Sequence, residues 1–196
     1  AQIANLADEI TYYSHDLDDG LDSGLLSEQQ LAANVRVWAQ AARLVKKQFG
    51  RLPDESRRYF TIRTIIDLQI RDVVEHSERL IEKAGVQSAD EVRLHPRALV
   101  AYGPERRTLN LELRDYLYQN LYYNPVVHEP NQRAVKMLEQ LFKYYLKHPE
   151  KIGASSRKRL KQLGLHRAVC DYIAGMTDRY VMLECERRCF QQFTIA

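Results

Sequence analysis

The chain has 196 residues, of which 45% are hydrophobic and 28% charged, and its formal net charge at pH 7 is +3. These proportions are ordinary for a soluble globular protein of one domain or most of one, and the charge is too small to indicate nucleic-acid binding by itself. No apolar run approaches the roughly 18 residues of a membrane span, and no signal-peptide pattern opens the chain. We therefore expect no membrane partner.

The first predicted element is a helix over roughly residues 2 to 18, ended by Gly20 and Gly24. Its apolar residues recur at the spacing of a buried seam: Ile3, Leu6, Ile10, Tyr13 and Leu17. Asp8, Tyr12 and Asp16 follow at four-residue intervals on the other side, where each step turns about 40° around the helix. The row offers two carboxylates and a phenol. A solvated acidic face is the competing interpretation.

The remaining elements also read as helices, separated by capping residues, glycines and prolines. Ser27 and Gln30 form a capping box for a helix that continues to Gly50, and Gly85 ends the longest helix. The later predictions are an irregular stretch over 86–107 and helices over 109–123, from Pro130 to His148, over 156–163 and over 166–192. The pattern contains no convincing strand, so it predicts an all-α, multi-helix bundle.

Three cysteines, Cys170, Cys185 and Cys189, form an odd and late-clustered set. That distribution argues against a disulfide framework and favours a reducing, cytoplasmic setting. Cys185 and Cys189 are one helical turn apart, but no second pair or nearby histidine completes a zinc site. We interpret them as ordinary helix residues.

Two segments carry a family resemblance: ANLADEITYYSHDLDDGL at residues 4–21 and CDYIAGMTDRY at residues 170–180. The first resembles the helix that bears the last metal ligand in the deoxyguanosine triphosphate triphosphohydrolase-like branch of the HD-domain phosphohydrolases. The second resembles the signature of that branch near its C-terminus. With the helical pattern between them, the resemblance covers essentially the whole chain. It implies that residues 1–24 end an HD-type catalytic core and that residues 25–196 form the C-terminal helical domain.

The resemblance implies cleavage of a deoxynucleoside triphosphate (dNTP) to deoxynucleoside and triphosphate, with Mg²⁺ or Mn²⁺ as cofactor. Such a cation is held in the family by two histidines, a His-Asp pair and a later aspartate, which Asp8 matches. Tyr12 and Asp16 match positions that contact the sugar. His15-Asp16 is itself a His-Asp dipeptide, but the metal-binding one lies on an earlier helix in the family. The chain starts abruptly, so we expect that an N-terminal part is missing, that the isolated chain is inactive and that the intact protein is a homo-oligomer.

The second match predicts a continuous helix in which Gly175 allows another helix to approach closely. Its polar residues Asp178 and Arg179 favour buried pairing within the fold over contact with a ligand. Six tyrosines indicate core and subunit packing rather than a platform for stacking bases: Tyr116, Tyr118, Tyr122, Tyr123, Tyr144 and Tyr145.

Two basic groups leave alternatives open. Arg57, Arg58 and Arg63 could clamp a triphosphate, although three arginines in such a position more often form a solvated face. Residues 157–161 (RKRLK), followed by Arg167, could meet an effector nucleotide or single-stranded DNA, with an ordinary surface patch as the default. The alternatives to the enzyme are thus a non-catalytic regulatory or oligomerisation module and a nucleic-acid-binding helical protein.

Overall fold

The computed structural model describes residues 1–188, which contain ten α-helices and no strand. This confirms the all-α class. The helices are α1 (Gln2–Asp22), α2 (Glu28–Asn34), α3 (Arg36–Phe49), α4 (Asp54–Ala84), α5 (Ala89–Leu94), α6 (Pro104–Leu117), α7 (Pro125–Lys147), α8 (Ala154–Leu163), α9 (Leu165–Ala174) and α10 (Asp178–Arg187). A π-helical turn covers Tyr118–Tyr122, and a 3-10 turn covers Pro149–Lys151. Cys189 and the end of the predicted last helix lie outside the described residues. None of the described helices has both the length and the apolar character needed to cross a membrane.

The chain divides into two compact units, Ala1–Asn124 and Pro125–Ala196. In the first unit, α1, α3, α4 and α6 enclose a core that includes the fully buried Leu17, Trp38, Ile65 and Leu113. In the second unit, α7, α9 and α10 enclose another core around Leu141, Tyr145 and Val169. The predicted boundary at residue 24 separates the end of a catalytic core from a C-terminal domain, whereas the boundary between the compact units follows Asn124. The division at residue 24 stays a prediction.

The buried seam of α1 follows the predicted spacing from Ile10 onward. Ile10 and Leu17 are buried, and Tyr13 packs against the core from a half-buried position. The prediction is wrong for Ile3, which is 70% exposed because α1 extends beyond the core at its N-terminal end.

The end of α1 also differs from the prediction. Gly20 does not end the helix but lies inside it, and α1 continues to Asp22. A β-carbon at Gly20 would lie 2.6 Å from a methyl carbon of Leu26, and the Leu26 backbone N–H donates to the Gly20 carbonyl at 2.8 Å. Glycine is therefore required at this position because only a residue without a β-carbon lets the following loop approach so closely.

Helix α4 matches the sequence pattern closely. Pro53 precedes its first turn, and Gly85 ends it in the left-handed conformation with φ of 64°. The helix predicted from Ser27 to Gly50 is instead two helices, because Val35 between them is extended (φ −125°, ψ 102°) and buried. The Ser27 cap itself is confirmed, since its hydroxyl accepts from the Gln30 N–H at 3.3 Å.

Other boundaries shift for local reasons. The stretch predicted to be irregular contains the short helix α5, capped by Ser88, whose hydroxyl accepts from the Glu91 N–H at 3.2 Å. Helix α7 begins at Pro125, so the preference of proline for a first helical turn applies there, and Pro130 lies inside the helix.

The predicted long final helix is interrupted at residues 175–177. Thr177 is extended and caps α10 by accepting from the Tyr180 N–H at 3.3 Å. Among residues 1–188, a β-carbon on Gly175 would contact only carbonyl oxygens of its own helix, at 3.5 and 3.6 Å, so no other described helix makes the predicted close approach. Asp178 and Arg179 are both exposed, which contradicts their predicted buried pairing.

The buried polar group of the second unit is Glu184, and not the predicted pair of Asp178 and Arg179. The hydroxyl of the fully buried Tyr145 donates to Glu184, which is 3% exposed. Arg188 donates to the same carboxylate at 2.9 Å. These donors hold the pKa of Glu184 below its ordinary value although burial alone would raise it.

Candidate functional site

The predicted Tyr12 and Asp16 row lies beside the π-helical turn of the first unit. The Tyr122 hydroxyl donates a hydrogen bond to Oδ2 of Asp16, across 106 positions of the sequence. Burial and the nearby charge of Asp19 raise the pKa of the half-buried Asp16 carboxyl, and His15 partly offsets them. Asp16 therefore has one carboxylate oxygen engaged by the fold and lies where its charge is poorly solvated.

The π-helical turn shapes the other side of this site. The Tyr123 N–H donates to the Tyr118 carbonyl at 3.0 Å, five residues back instead of the four of an α-helix. The wider turn brings Tyr118 edge-on to Tyr122, with ring centroids 4.9 Å apart and planes at 75°. Single π-helical turns of this kind are frequent at functional sites.

Tyr12 completes a face of aromatic rings. Its ring is 53% exposed and lies 6.2 Å from the Tyr122 ring, tilted by 33°. It meets Tyr13 edge-on at 5.7 Å. Partial desolvation, followed by the charge of Asp16, raises the pKa of the Tyr12 phenol, so the hydroxyl stays protonated at neutral pH.

Two cavities flank this face, and Arg114 lines both. An open depression of about 350 Å³ lies over the outer side of α6 and the π-helical turn, lined by Arg114, Asp115, Tyr118, Gln119 and Tyr123. A polar cavity of about 330 Å³ lies between α1 and α6 and includes Glu9, Asn110 and Arg107. The Arg114 guanidinium is held by Asp115 at 3.0 and 3.1 Å. Burial raises the pKa of the Glu9 carboxyl, and the charges of Arg114 and Arg107 oppose that rise.

Asp8 lies two helical turns before Asp16 and is exposed. A carboxylate oxygen is a suitable ligand for Mg²⁺ or Mn²⁺. Within residues 1–188, however, no group of three or more His, Cys, Asp or Glu side chains is placed to hold a metal ion. Asp8 could therefore supply one ligand to a metal ion, and the described residues do not supply the other ligands.

Sequence reasoning missed the contribution of the π-helical turn. Tyr116 and Tyr122 pack against the first core and Tyr145 belongs to the second, as predicted for the tyrosines. Tyr118 and Tyr123 are 42% and 59% exposed, so these two do not belong to the core, and their part in subunit packing stays a prediction. The available signal was the density of tyrosines in residues 116–123, on a helix that also carries Arg114.

The three arginines considered as phosphate clamps have different surroundings. Arg57 pairs with Glu28 and Asp54, whose hydrogen bonds raise the pKa of its guanidinium. Arg58 pairs with Asp18 and Asp22. Arg63 contacts only the Tyr59 hydroxyl among the hydrogen bonds and ion pairs of the described residues, at 3.3 Å.

The basic patch of α8 is partly neutralised. Arg159 and Arg167 both pair with Asp171, at 2.9 and 2.8 Å. Arg157, Lys158 and Lys161 are exposed, and in the part of the chain that the structure describes none has a carboxylate partner within 4.0 Å.

Comparison with known proteins identifies the class. Residues 100–187, which include α6, the π-helical turn and most of the second unit, match the phosphohydrolase-associated domain. The chain is therefore an all-α protein that carries this domain.

The chain is also similar along nearly its whole length to deoxyguanosinetriphosphate triphosphohydrolase-like proteins. That of Geobacter metallireducens is 37% identical over 187 residues, which are 95% of this chain and 48% of the relative. Those of Geobacter sulfurreducens and Azoarcus sp. are 38% and 36% identical over the same length. These matches confirm the resemblance seen in the sequence: the chain is a relative of these proteins and corresponds to their C-terminal part. It spans about half the length of the curated relatives that it matches.

Proposed function

We propose that the chain is the C-terminal part of a metal-dependent triphosphohydrolase that converts a dNTP to deoxynucleoside and triphosphate. The observation that carries the proposal is the hydrogen bond between Tyr122 of the π-helical turn and Asp16, next to the ring of Tyr12. Asp16 and Tyr12 lie on the same helix as Asp8. A carboxylate held in place by a phenol can accept a hydrogen bond from a sugar hydroxyl, and an aromatic ring can pack against the sugar.

Each residue has a separate task in this proposal. A bound Mg²⁺ or Mn²⁺ supplies charge neutralisation at the phosphates and acidifies a water molecule. Asp8 is one ligand of that ion. Asp16 accepts a hydrogen bond from the deoxyribose 3′-hydroxyl, and Tyr12 covers the sugar. The aromatic ring of Tyr122 and its hydrogen bond hold Asp16 in position.

Because the chain spans half of its relatives, the other metal ligands belong to a longer protein in this proposal. The isolated chain is then inactive, and the intact protein assembles as a homo-oligomer. We also propose a cytoplasmic location, which the free thiols of Cys170 and Cys185 support.

Triphosphate release by the full-length protein, measured with each dNTP and with Mg²⁺ or Mn²⁺, tests this function. Asp8→Ala is expected to lower kcat at least a hundredfold, since the ion loses a ligand. Asp90→Ala, at an exposed carboxylate of α5, is the matched control and should leave kcat unchanged. Undiminished turnover in the Asp8 variant would refute the metal role. A full-length protein that releases no triphosphate would instead favour the non-catalytic module.

A second candidate function concerns α8. Its Arg157, Lys158 and Lys161, which have no carboxylate partner in the part of the chain that the structure describes, suit the phosphates of an effector nucleotide or of single-stranded DNA. A gel-shift titration with an oligonucleotide at several salt concentrations should show steeply salt-dependent binding. The variant with glutamine at all three positions should lose this binding, and absent or salt-insensitive binding would dismiss single-stranded DNA as the ligand.

A further inference from the structure

A cavity unrelated to the Tyr12 and Asp16 row lies where α3 meets α4. Its volume is about 720 Å³, within the range of roughly 300–1,000 Å³ typical of small-molecule sites. Its apolar wall comes from the end of α2, one face of α3 and the loop before α4: Ala32, Ala39, Ala42, Val45 and Leu52. Gly50 turns the chain there with φ of 70°, and a β-carbon at this glycine would meet no atom within 4 Å. The loop therefore leaves the cavity open.

Cations surround this apolar wall. Arg43, Lys46 and Arg51 line the cavity and are exposed. Among residues 1–188, no carboxylate lies within 4.0 Å of any of the three, and no acidic residue lines the cavity. Arg57, the fourth cation, is already paired with Glu28 and Asp54. The cavity thus combines an apolar interior with three positive charges that the described fold does not compensate.

This combination restricts the chemistry of an occupant. The apolar wall contains no aromatic ring and no side-chain amide or hydroxyl, so a nucleobase lying against this wall would find no aromatic stacking partner and no amide or hydroxyl group to bond its edge. A hydrocarbon body gains free energy by leaving water for such a wall. An anionic head gains further from the unpaired guanidinium and ammonium groups, with guanidinium suited to two-point contact with carboxylate or phosphate.

We propose that this cavity binds a small amphipathic anion, with an aliphatic body against the alanine, valine and leucine wall and a carboxylate or phosphate head among Arg43, Lys46 and Arg51. The site shares no residue with the proposed substrate face, and the inference does not depend on the proposed function.

Calorimetric titration of the chain with decanoate, decyl phosphate and decanol tests the chemistry. Both anions are expected to bind at least tenfold more tightly than decanol, and their affinity should fall as salt is added. A preference between decanoate and decyl phosphate would identify the head group as carboxylate or phosphate. Equal affinity for decanol, or no binding of either anion, would overturn the proposal.

Charge-removing variants then locate the site. The variant Arg43→Gln, Lys46→Gln, Arg51→Gln changes exposed side chains and should fold normally, which far-UV circular dichroism verifies. It should weaken binding of both anions more than tenfold and leave decanol unaffected. Lys47→Gln, on the same helix but outside the cavity, is the matched control and should bind like the parent chain.

Two further results would contradict the proposal. One is unchanged anion binding in the triple variant, which would place the anion elsewhere. The other is self-association of the parent chain, measured by light scattering, that the triple variant abolishes, because a second copy would then occupy the cavity. NMR shifts of the Val45 and Leu52 methyl groups upon decanoate addition should follow the binding isotherm, and their absence would also count against the site.

Discussion

Asp16 lies where folding and ligand binding make opposite demands. Burial and the charge of Asp19 raise the pKa of its carboxyl, which means that the folded state holds the proton more tightly than the unfolded chain does. For an acid shifted in this direction, folding stability is greatest below the ordinary pKa of 3.8 and is lost as pH rises through the raised value. The ionised form that suits a sugar hydroxyl is therefore the form that the fold tolerates less well.

We predict that Asp16→Asn stabilises the chain at neutral pH while it impairs sugar binding in the full-length protein. The free energy of unfolding should rise by about 0.5 kcal/mol at pH 7, a modest gain because the side chain is partly solvated. The amide oxygen can still accept from Tyr122. Urea denaturation measures the gain, which should shrink toward pH 4. Asp8→Asn, at an exposed position, is the control and should change little; an Asp16→Asn gain that is the same at both pH values would contradict the explanation.

Removal of the Tyr122 hydroxyl tests how Asp16 is positioned. Tyr122→Phe keeps the ring that packs against Tyr12 but removes the donor to Asp16. Hydrogen bonds to charged groups contribute about 1.5–3 kcal/mol, so KM for a dNTP should rise at least tenfold in the full-length enzyme, with kcat changed less. Tyr118→Phe is the control, because no hydrogen bond of the Tyr118 hydroxyl occurs among the described residues. Equal effects of the two substitutions would show that Asp16 does not depend on Tyr122.

The sequence predicts individual residues well where the cause is local. The Ser27 cap is predictable because its hydroxyl lies three residues before the Gln30 N–H that it accepts from. The buried seam of α1 is predictable because its apolar residues recur at helical spacing. The Tyr122 contact with Asp16 spans 106 positions and depends on a π-helical turn, which no spacing rule anticipates. The candidate site was therefore half predicted: the α1 side came from the pattern and the family resemblance, and the π-helical side came from the structure.

At the scale of elements, the end of α1 depends on a close contact and not on a helix stop. Gly20 is buried inside the helix and packs closely against Leu26 and Leu121, since a β-carbon at this position would lie 2.6 Å from a Leu26 methyl carbon and 3.5 Å from a Leu121 methyl carbon. Leu121 directly precedes Tyr122, so this contact connects the end of α1 to the turn that positions the site. Glycine disfavours a helix by about 1 kcal/mol relative to alanine, and here that cost is offset by packing.

We predict that Gly20→Ala destabilises the first unit by about 1 kcal/mol. The helix gains propensity, but a β-carbon 2.6 Å from the buried Leu26 forces a core side chain to move, and such overpacking costs roughly 1–3 kcal/mol. Gly175→Ala is the matched control, because φ at Gly175 is −83° and its β-carbon would make only ordinary contacts. The control should be neutral or slightly stabilising in thermal denaturation. Stabilisation of the chain by Gly20→Ala would contradict the packing argument.

Element boundaries were predictable where glycine or proline marks them. Gly85 ends α4 as expected, because glycine readily adopts the left-handed backbone conformation that a helix end requires. The break at Val35 has no such marker: a β-branched residue becomes extended so that it and its neighbours on α3 reach the core. The break at Thr177 had a usable signal, a threonine followed by aspartate at a helix start, which the apparent continuity of the apolar face concealed.

At the scale of the molecule, each compact unit has a core of its own. The first contains Trp38, which is the single tryptophan of the chain and is 1% exposed. The second contains Cys185, which is 2% exposed and whose thiol pKa is raised by burial. Tryptophan fluorescence and thiol labelling therefore report separately on the two units.

We predict that a cavity in one core leaves the other unit intact. Leu141→Ala removes a fully buried side chain from the second core, and Leu113→Ala removes one that is 1% exposed from the first; each should cost about 2–5 kcal/mol in its own unit. In a background with Cys170→Ser and Cys189→Ser, Leu141→Ala should speed labelling of Cys185 by at least tenfold and leave the urea midpoint of Trp38 fluorescence unchanged. Leu113→Ala should do the reverse, so each variant is the control for the other. A shift of both signals by either substitution would mean that the two cores unfold as one, because only a shared transition transmits a local cavity to a probe in the other core.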